Sequence, residues 1–215
     1  GDVYKRQTLN ELSDFTQLHQ FGNTENLQVV KIGKFGKTVI VNDKIKRIKQ
    51  LIKEGSTHPD IDRIIEKIFK KTGVSDKDTT GEIKAIYYWL KKKIRYKKDP
   101  VGQERFAHAY RYFEKDPKRR VVSGDCDDFV ILGGSMLQAA GHPVRIVLWR
   151  KPQGDWQHIF LVAWSGKDKK WLVVDPSEKD KPFGWFPPYG KFKVIPLEDD
   201  GLPPTKLGLL SGLFS

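Results

Sequence analysis

The stretch that most constrains this chain is Ser123-Gly124-Asp125-Cys126-Asp127-Asp128, which runs into an apolar segment, residues 129–140, and stops at Gly141. Asp125 is a suitable helix N-cap, because its carboxylate can accept from the free amides of the following turn. Asp127 and Asp128 suit the positive end of a helix dipole, and Gly141 suits the position just past the helix, where φ is positive. The spacing therefore predicts one helix with Cys126 at its first position. Val130, Ile131, Met136 and Leu137 make that helix apolar enough to be buried. Unpaired N–H groups and the helix dipole at such a tip favour the thiolate form of a cysteine. The bland alternative is a buried structural cysteine that packs as a small apolar side chain.

Cys126 is the only cysteine among 215 residues, so an intrachain disulfide and a Cys-rich metal site are both excluded. No apolar run approaches the roughly 20 residues that span a bilayer, and no secretory signal is apparent, so a soluble protein is expected. Six Trp and a 38% hydrophobic content argue for a folded chain rather than a disordered one. The net charge of +12 permits attraction to nucleic acid, anionic lipid or an acidic partner. Much of it lies in lysines interleaved with apolar residues, as in Lys44-Ile45-Lys46-Arg47-Ile48-Lys49, which reads first as a solvated helix face.

Residues 2–7 resemble the translation of a transposon adaptor used for sequencing libraries, which points to a metagenomic gene and leaves the native N-terminus open. Residues 8–41 read as an arm with a small hairpin, in which Val29, Ile32, Val39 and Ile40 flank Gly33-Lys34-Phe35-Gly36. Helical stripes follow. Ile45, Ile48, Leu51 and Ile52 form one, and Ile61, Ile64, Ile65, Ile68 and Phe69 form a second after Pro59. A third begins at Thr79 or Thr80 and carries Ile83, Ile86, Tyr87 and Leu90. Residues 105–122 interleave aromatic and basic side chains, including Phe106, Tyr110, Arg119 and Arg120. That mixture can bind single-stranded nucleic acid, but a loop packed beside the cysteine is the preferred reading. Strands are expected at 143–150, 157–164, 170–175 and 192–195, and residues 197–215 form a tail with an apolar end.

His158 lies in the second of these strands and Asp175 closes the third. If the two strands form a hairpin across residues 165–168, pairing Trp164 with Lys169 sets Phe160 opposite Val173 and His158 opposite Asp175. A one-residue slip would put them on opposite faces. An opposed carboxylate fixes the tautomer of an imidazole and stabilises its cation. Cys126, His158 and Asp175 together then read as a thiol nucleophile, its base and an orienting acid.

Four segments carry a resemblance: Gly124-Asp125-Cys126-Asp127-Asp128, Ala140-Gly141-His142-Pro143-Val144-Arg145, Gln157-His158 and Trp171-Leu172-Val173-Val174-Asp175-Pro176. Their order and contexts are similar to the transglutaminase-like superfamily. Ile94-Arg95-Tyr96, residues 99–104 and Gly184-Trp185 resemble the branch of it encoded by tailed bacteriophages and prophages. The resemblance covers residues 40–190. It implies an α+β, papain-like core over residues 42–196: a helical part, 42–122, and a catalytic core, 123–196, where a Cys-bearing helix packs on an antiparallel sheet. It also implies Cys126 as nucleophile, His158 as general base and acid, and Asp175 as orienting acid.

The chemistry expected is acyl transfer on an amide through a Cys126 thioester, with the Cys126 N–H as first oxyanion donor. Gln103, Trp156, Gln157 and Trp185 are candidates for the second donor or for substrate contacts. Asp127 and Asp128 oppose the thiolate, and Asp128 is expected to turn back as a cap or to meet Arg119, Arg120 or Arg145. No cofactor or metal is called for. Hydrolysis, as a peptidase or amidase, is favoured over protein-glutamine cross-linking, because water needs no binding site. A non-catalytic phage structural or adaptor module is the alternative. Peptidoglycan, a phage structural protein and a host protein are all open as partners; nucleic acid is not favoured.

Overall fold

The structure is a computed structural model that describes residues 27–31, 37–98, 103–110, 122–205 and 207. It is built around the cysteine helix, α4 (Cys126–Ala139), in which every residue from Asp127 to Leu137 is buried. A helix apolar on all sides must be covered on all sides. Three helices cover one flank: α1 (Lys37–Ser56), α2 (Pro59–Thr72) and α3 (Thr79–Lys93). A four-stranded antiparallel sheet covers the other, in the order β7-β6-β5-β8, from β5 (Val144–Arg150), β6 (His158–Ser165), β7 (Lys170–Val174) and β8 (Lys191–Pro196). One buried cluster joins Ile48, Ile52, Ile61, Ile86 and Leu90 of the helices to Ile146, Leu148, Ile159 and Leu161 of the sheet.

The predicted helix ends are present. Pro59 opens α2 behind His58, whose Nδ1 accepts from Asp60 N, and Gly73 closes it at φ 67°. Asp78 caps α3 by accepting from Gly81 N. At the end of α4, Gly141 has φ 82°, and the bonds Gly141 N–H to Gln138 O and His142 N–H to Leu137 O, both 2.9 Å, form a Schellman motif.

The expected hairpin at the start of the chain is replaced by another arrangement. β1 (Leu27–Lys31) pairs antiparallel with β3 (Gln103–Ala107), and residues 37–41, including Val39 and Ile40, are the first turn of α1. Alternation over so few residues fits a strand and a helix turn almost equally well. Part of 105–122, expected as a loop, is therefore strand. β2 (Ile94–Tyr96) runs parallel to β4 (Val122–Gly124), which leads directly into α4. Residues 1–26, the Gly33-Lys34-Phe35-Gly36 turn and residues 111–121 with Arg119 and Arg120 lie outside the described residues.

The β6–β7 register differs from the expected one by two residues. Trp164 pairs with Trp171 and Ser165 with Lys170, leaving residues 166–169 as the turn. The cause is tertiary. Ser165 is fully buried, and its Oγ meets Thr80 Oγ1 at 2.7 Å, Thr79 Oγ1 at 3.1 Å and Asp168 N at 3.1 Å, which pins the turn to the start of α3. A slip of two preserves the face of every side chain.

Much of the tail's apolar end lies outside the described residues; its described part, residues 197–205 and 207, has a stretch, 200–205 with Leu207, on the second face of the sheet. There Val147, Phe160, Val162 and Val173 form a cluster with Leu207. Arg145 is 9% exposed and does not meet Asp128. Its Nε and Nη2 hold both oxygens of Asp200 at 2.9 and 2.6 Å, and it donates to Leu202 O, Pro203 O and Thr205 Oγ1.

The helices meet closely where α4 is smallest. A Cβ on Gly134 would lie 2.8 to 3.2 Å from three side-chain carbons of Ile52 on α1. Gly134→Val is expected to cost about 1–3 kcal/mol through overpacking, read as a lower midpoint in urea unfolding.

Candidate active site

Gly124 and the three acidic residues each have a separable job at the α4 tip. Asp125 accepts from Asp127 N at 3.0 Å, and Asp128 Oδ2 turns back to accept from Asp125 N at 3.1 Å, forming a capping box. A Cβ at position 124 would lie 2.6 Å from Asp128 Cβ, so the returning carboxylate requires glycine there. Asp127 is buried and pairs with Lys44 Nζ of α1 at 2.5 Å. The cap engages the Asp125, Asp127 and Asp128 amides and leaves that of Cys126 among the orphan donors of a helix start.

The dipole argument predicts a thiolate-favouring site, and the structure corrects it. The Cys126 thiol lies well above its ordinary value, first because of burial and then because of Asp127 and Asp125. Lys44 and the Ile159 N–H act in the opposite direction without prevailing. The thiol is directed at Asp127 Oδ1, 3.9 Å away. Among the described residues no hydrogen bond joins Cys126 to His158; the neighbour on that side is Ile159, next in the chain to the histidine.

His158 and Asp175 do meet. His158 Nε2 lies 2.6 Å from Asp175 Oδ2. With the observed register, Leu161 opposes Val174, so Asp175 continues the ladder opposite Phe160 and reaches His158 diagonally on the same face. Burial, the largest single influence, pulls the imidazole down, yet the Asp175 hydrogen bond and charge, with Glu178, leave it raised. Asp175 is itself buried, and Ser177 Oγ donates to its Oδ1 at 2.6 Å. Nε2 engaged by the carboxylate leaves Nδ1 as the nitrogen free to exchange a proton.

Three of the four weaker candidates are not drawn into hydrogen bonds with the trio among the described residues. Gln157 is exposed and its backbone N–H donates to Trp149 O. Trp156 lies under the Arg150 guanidinium at 5.5 Å, and Trp185 under Lys181 Nζ at 5.0 Å. None of the three makes a hydrogen bond to Cys126, His158 or Asp175 among the described residues. Gln103 is in β3, paired with Lys31, and its side chain lies outside what the structure describes.

Several residues at the site had been passed over. Tyr96 pairs with Gly124, two residues from the cysteine, and is 42% exposed. Its hydroxyl is pushed up to about 12 by burial, then by Cys126 and Asp125. Lys44 had been counted with the solvated lysines. Ser177 follows Asp175 by two positions, the spacing at which a hydroxyl can bond a preceding carboxylate, so it had a local signal.

Donor atoms of His158, Asp175 and Glu178 lie within 4.8 Å of one another, as do those of Asp125, Cys126 and Asp127. Zinc at about 2.0–2.1 Å from N and O would hold two donors about 3.3 Å apart in a tetrahedron. The 2.6 Å His158–Asp175 separation is that of a hydrogen bond instead.

Comparison with known proteins agrees with this arrangement. The family model described as the transglutaminase-like superfamily matches residues 66–176, just over half of the 215. The chain belongs to the transglutaminase-like superfamily. Its mixed fold, with a cysteine helix on an antiparallel sheet, is that of the family. A search of curated proteins finds no match. Among solved structures, the chain is similar to a candidate cysteine protease from Cytophaga hutchinsonii, at 19% identity and a TM-score of 0.37. That match covers 71% of this chain and 49% of the other, so the chain spans about half the length of that structure.

Two predictions follow from the electrostatics. Asp127→Asn is expected to lower the thiol pKa and speed iodoacetamide labelling near neutral pH, whereas Lys44→Met slows it; intact mass against time reads both. The raised His158 stabilises the fold when protonated, fully below its ordinary value of about 6.5, and the benefit is lost as pH rises through the elevated folded value. Asp175→Asn should therefore cost more stability at about pH 5.5 than at about pH 8.5, by urea unfolding at each pH.

Proposed function

We propose that the protein is a cysteine enzyme of the transglutaminase-like superfamily that cleaves or transfers amide bonds, with Cys126, His158 and Asp175 in the roles of nucleophile, base and orienting acid. The observation that carries this reading is the 2.6 Å His158–Asp175 pair, its carboxylate braced by Ser177, on the strand whose next residue, Ile159, turns its backbone N–H to the thiol of the chain's single cysteine. Nδ1 of His158 takes the thiol proton as sulfur attacks the amide carbon. The same nitrogen then returns it to the departing amine, leaving a thioester. The Cys126 N–H is aimed where the carbonyl oxygen gains charge. Water or a second amine finishes the cycle.

A resting thiol with a high pKa fits general-base attack, in which sulfur loses its proton only as the carbonyl arrives. Hydrolysis is the favoured outcome, since water needs no site of its own; transfer to a protein amine is the alternative. The resemblance of Ile94-Arg95-Tyr96 and Gly184-Trp185 to the phage-encoded branch makes peptidoglycan peptides and phage structural proteins the substrates to try first. A second reading, a non-catalytic phage module, draws on the Cys126–Asp127 contact, which holds the thiol in its neutral form.

Alkylation of Cys126 against pH, in the native protein and in His158→Ala, separates the two. Labelling near neutrality that falls at least tenfold in the variant is expected for the enzyme, in which the imidazole assists loss of the thiol proton. Labelling that is slow and indifferent to His158 would favour the module. Cys126→Ala, His158→Ala and Asp175→Ala are each expected to keep the far-UV CD spectrum and to lose amide turnover, assayed with and without an amine acceptor.

A further inference from the structure

The second face of the sheet holds two features that the family assignment leaves unconnected. At one end are His158 and Asp175. Towards the other, β5 presents Arg145, and residues 200–205 with Leu207 run across the face. Strand alternation places Arg145, Val147, His158, Phe160, Val162, Trp171, Val173 and Asp175 on this one surface. The opposite surface, with Ile146, Ile159 and Leu161, is the one packed on α4. His158 finds ring packing on the Phe160 side, whereas its partner Asp175 is also felt by Tyr87 of α3.

Its support on this side is Phe160, whose ring stacks on the imidazole with centroids 5.8 Å apart and planes at 26°. Phe160 is 1% exposed, and it shares its buried cluster with Leu207, itself 5% exposed. The segment ending at Leu207 is anchored by Arg145, whose guanidinium donates to Asp200, Leu202, Pro203 and Thr205. The same guanidinium lies 4.1 Å over the Trp171 ring, and Trp171 Nε1 donates to Pro203 O at 2.9 Å. A carboxylate held by both arms of a guanidinium sets orientation as well as energy. Asp200 sits low in its pKa, first through that hydrogen bond with Arg145.

We propose that residues 200–205 with Leu207 act as a strap that positions His158: Arg145 clamps the strap, the strap presses Leu207 on the Phe160 cluster, and Phe160 holds the imidazole against Asp175. The residues of the strap touch no reacting atom and are positioning residues. A χ rotation of the imidazole would break the 2.6 Å bond to Asp175. Packing against Phe160 opposes that rotation. The catalytic use of this positioning rests on the enzyme reading above, whereas the positioning itself does not.

The experiment compares the full chain with Asp200→Asn and Leu207→Ala, the first releasing the clamp and the second removing the pressing side chain. Proton NMR follows the His158 Nε2–H, assigned with His158→Gln, and iodoacetamide labelling of Cys126 is measured from acid to neutral pH. The native protein is expected to show a slowly exchanging Nε2–H. Both variants are expected to keep their CD spectrum, to exchange that proton at least tenfold faster, and to label several-fold more slowly near neutrality. Asp200→Glu, which keeps the carboxylate, should recover part of both. Variants that unfold at lower temperature yet keep the native Nε2–H exchange would overturn the proposal, reducing the strap to a cover for apolar surface. Should Leu207→Ala fail to fold, Asp200→Asn against Asp200→Glu decides by the same signal. Native labelling that ignores His158 would overturn the enzyme reading alone, because the Nε2–H exchange would still report on the strap.

Discussion

The helix that carries Cys126 is buried along almost its whole length, and the rest of the fold answers to that constraint. An all-apolar helix gains from being covered by α1, α2 and α3 on one side and by the sheet on the other. Its ends are the difficulty, because buried amides and carbonyls must find partners. The Asp125–Asp128 capping box meets this at the start and the Schellman turn at Gly141 meets it at the end. Both solutions use short side chains or none. They keep the tip slim enough for β4 to enter through Gly124 and for Tyr96 to lie alongside.

The acidic tip has an electrostatic consequence that the helix dipole alone does not foretell. Burial first, then the Asp127 and Asp125 carboxylates, outweigh the dipole and hold the thiol protonated. Lys44 offsets part of this from a different helix, while His158 is raised on its own strand by Asp175. The two groups are prepared separately: the thiol by the helix tip and α1, the imidazole by the β6–β7 hairpin and the turn after it. The link the structure shows between them is Ile159, whose N–H faces the thiol where β6 packs on α4.

Much of the architecture was legible because the residues concerned act locally. The caps at His58-Pro59, Asp78, Asp125 and Gly141 declare themselves through backbone chemistry within one turn. The strands β5 to β8 alternate clearly enough to be placed to within a residue or two. Val39 and Ile40 misled, since two β-branched residues near a glycine suit a strand as well as the opening of a helix. The β6–β7 register was missed by two residues because Ser165 is anchored by Thr79 and Thr80, more than eighty positions away. The error was harmless to the site, because a shift of two returns each side chain to its own face.

By itself the sequence determined the local settings of the residues proposed for catalysis. One cysteine sits at a capped helix start, and one histidine and one aspartate lie on neighbouring strands, each specified by its immediate context. Only the tertiary structure decided how those groups are tuned: that Lys44 faces Asp127, that Ser177 braces Asp175, that Arg145 grips the tail rather than Asp128, and that Leu207 joins the cluster around Phe160. The reason is physical. Capping and strand alternation are short-range and leave marks in the order of residues, whereas burial and charge depend on partners brought near by packing, which no local pattern records.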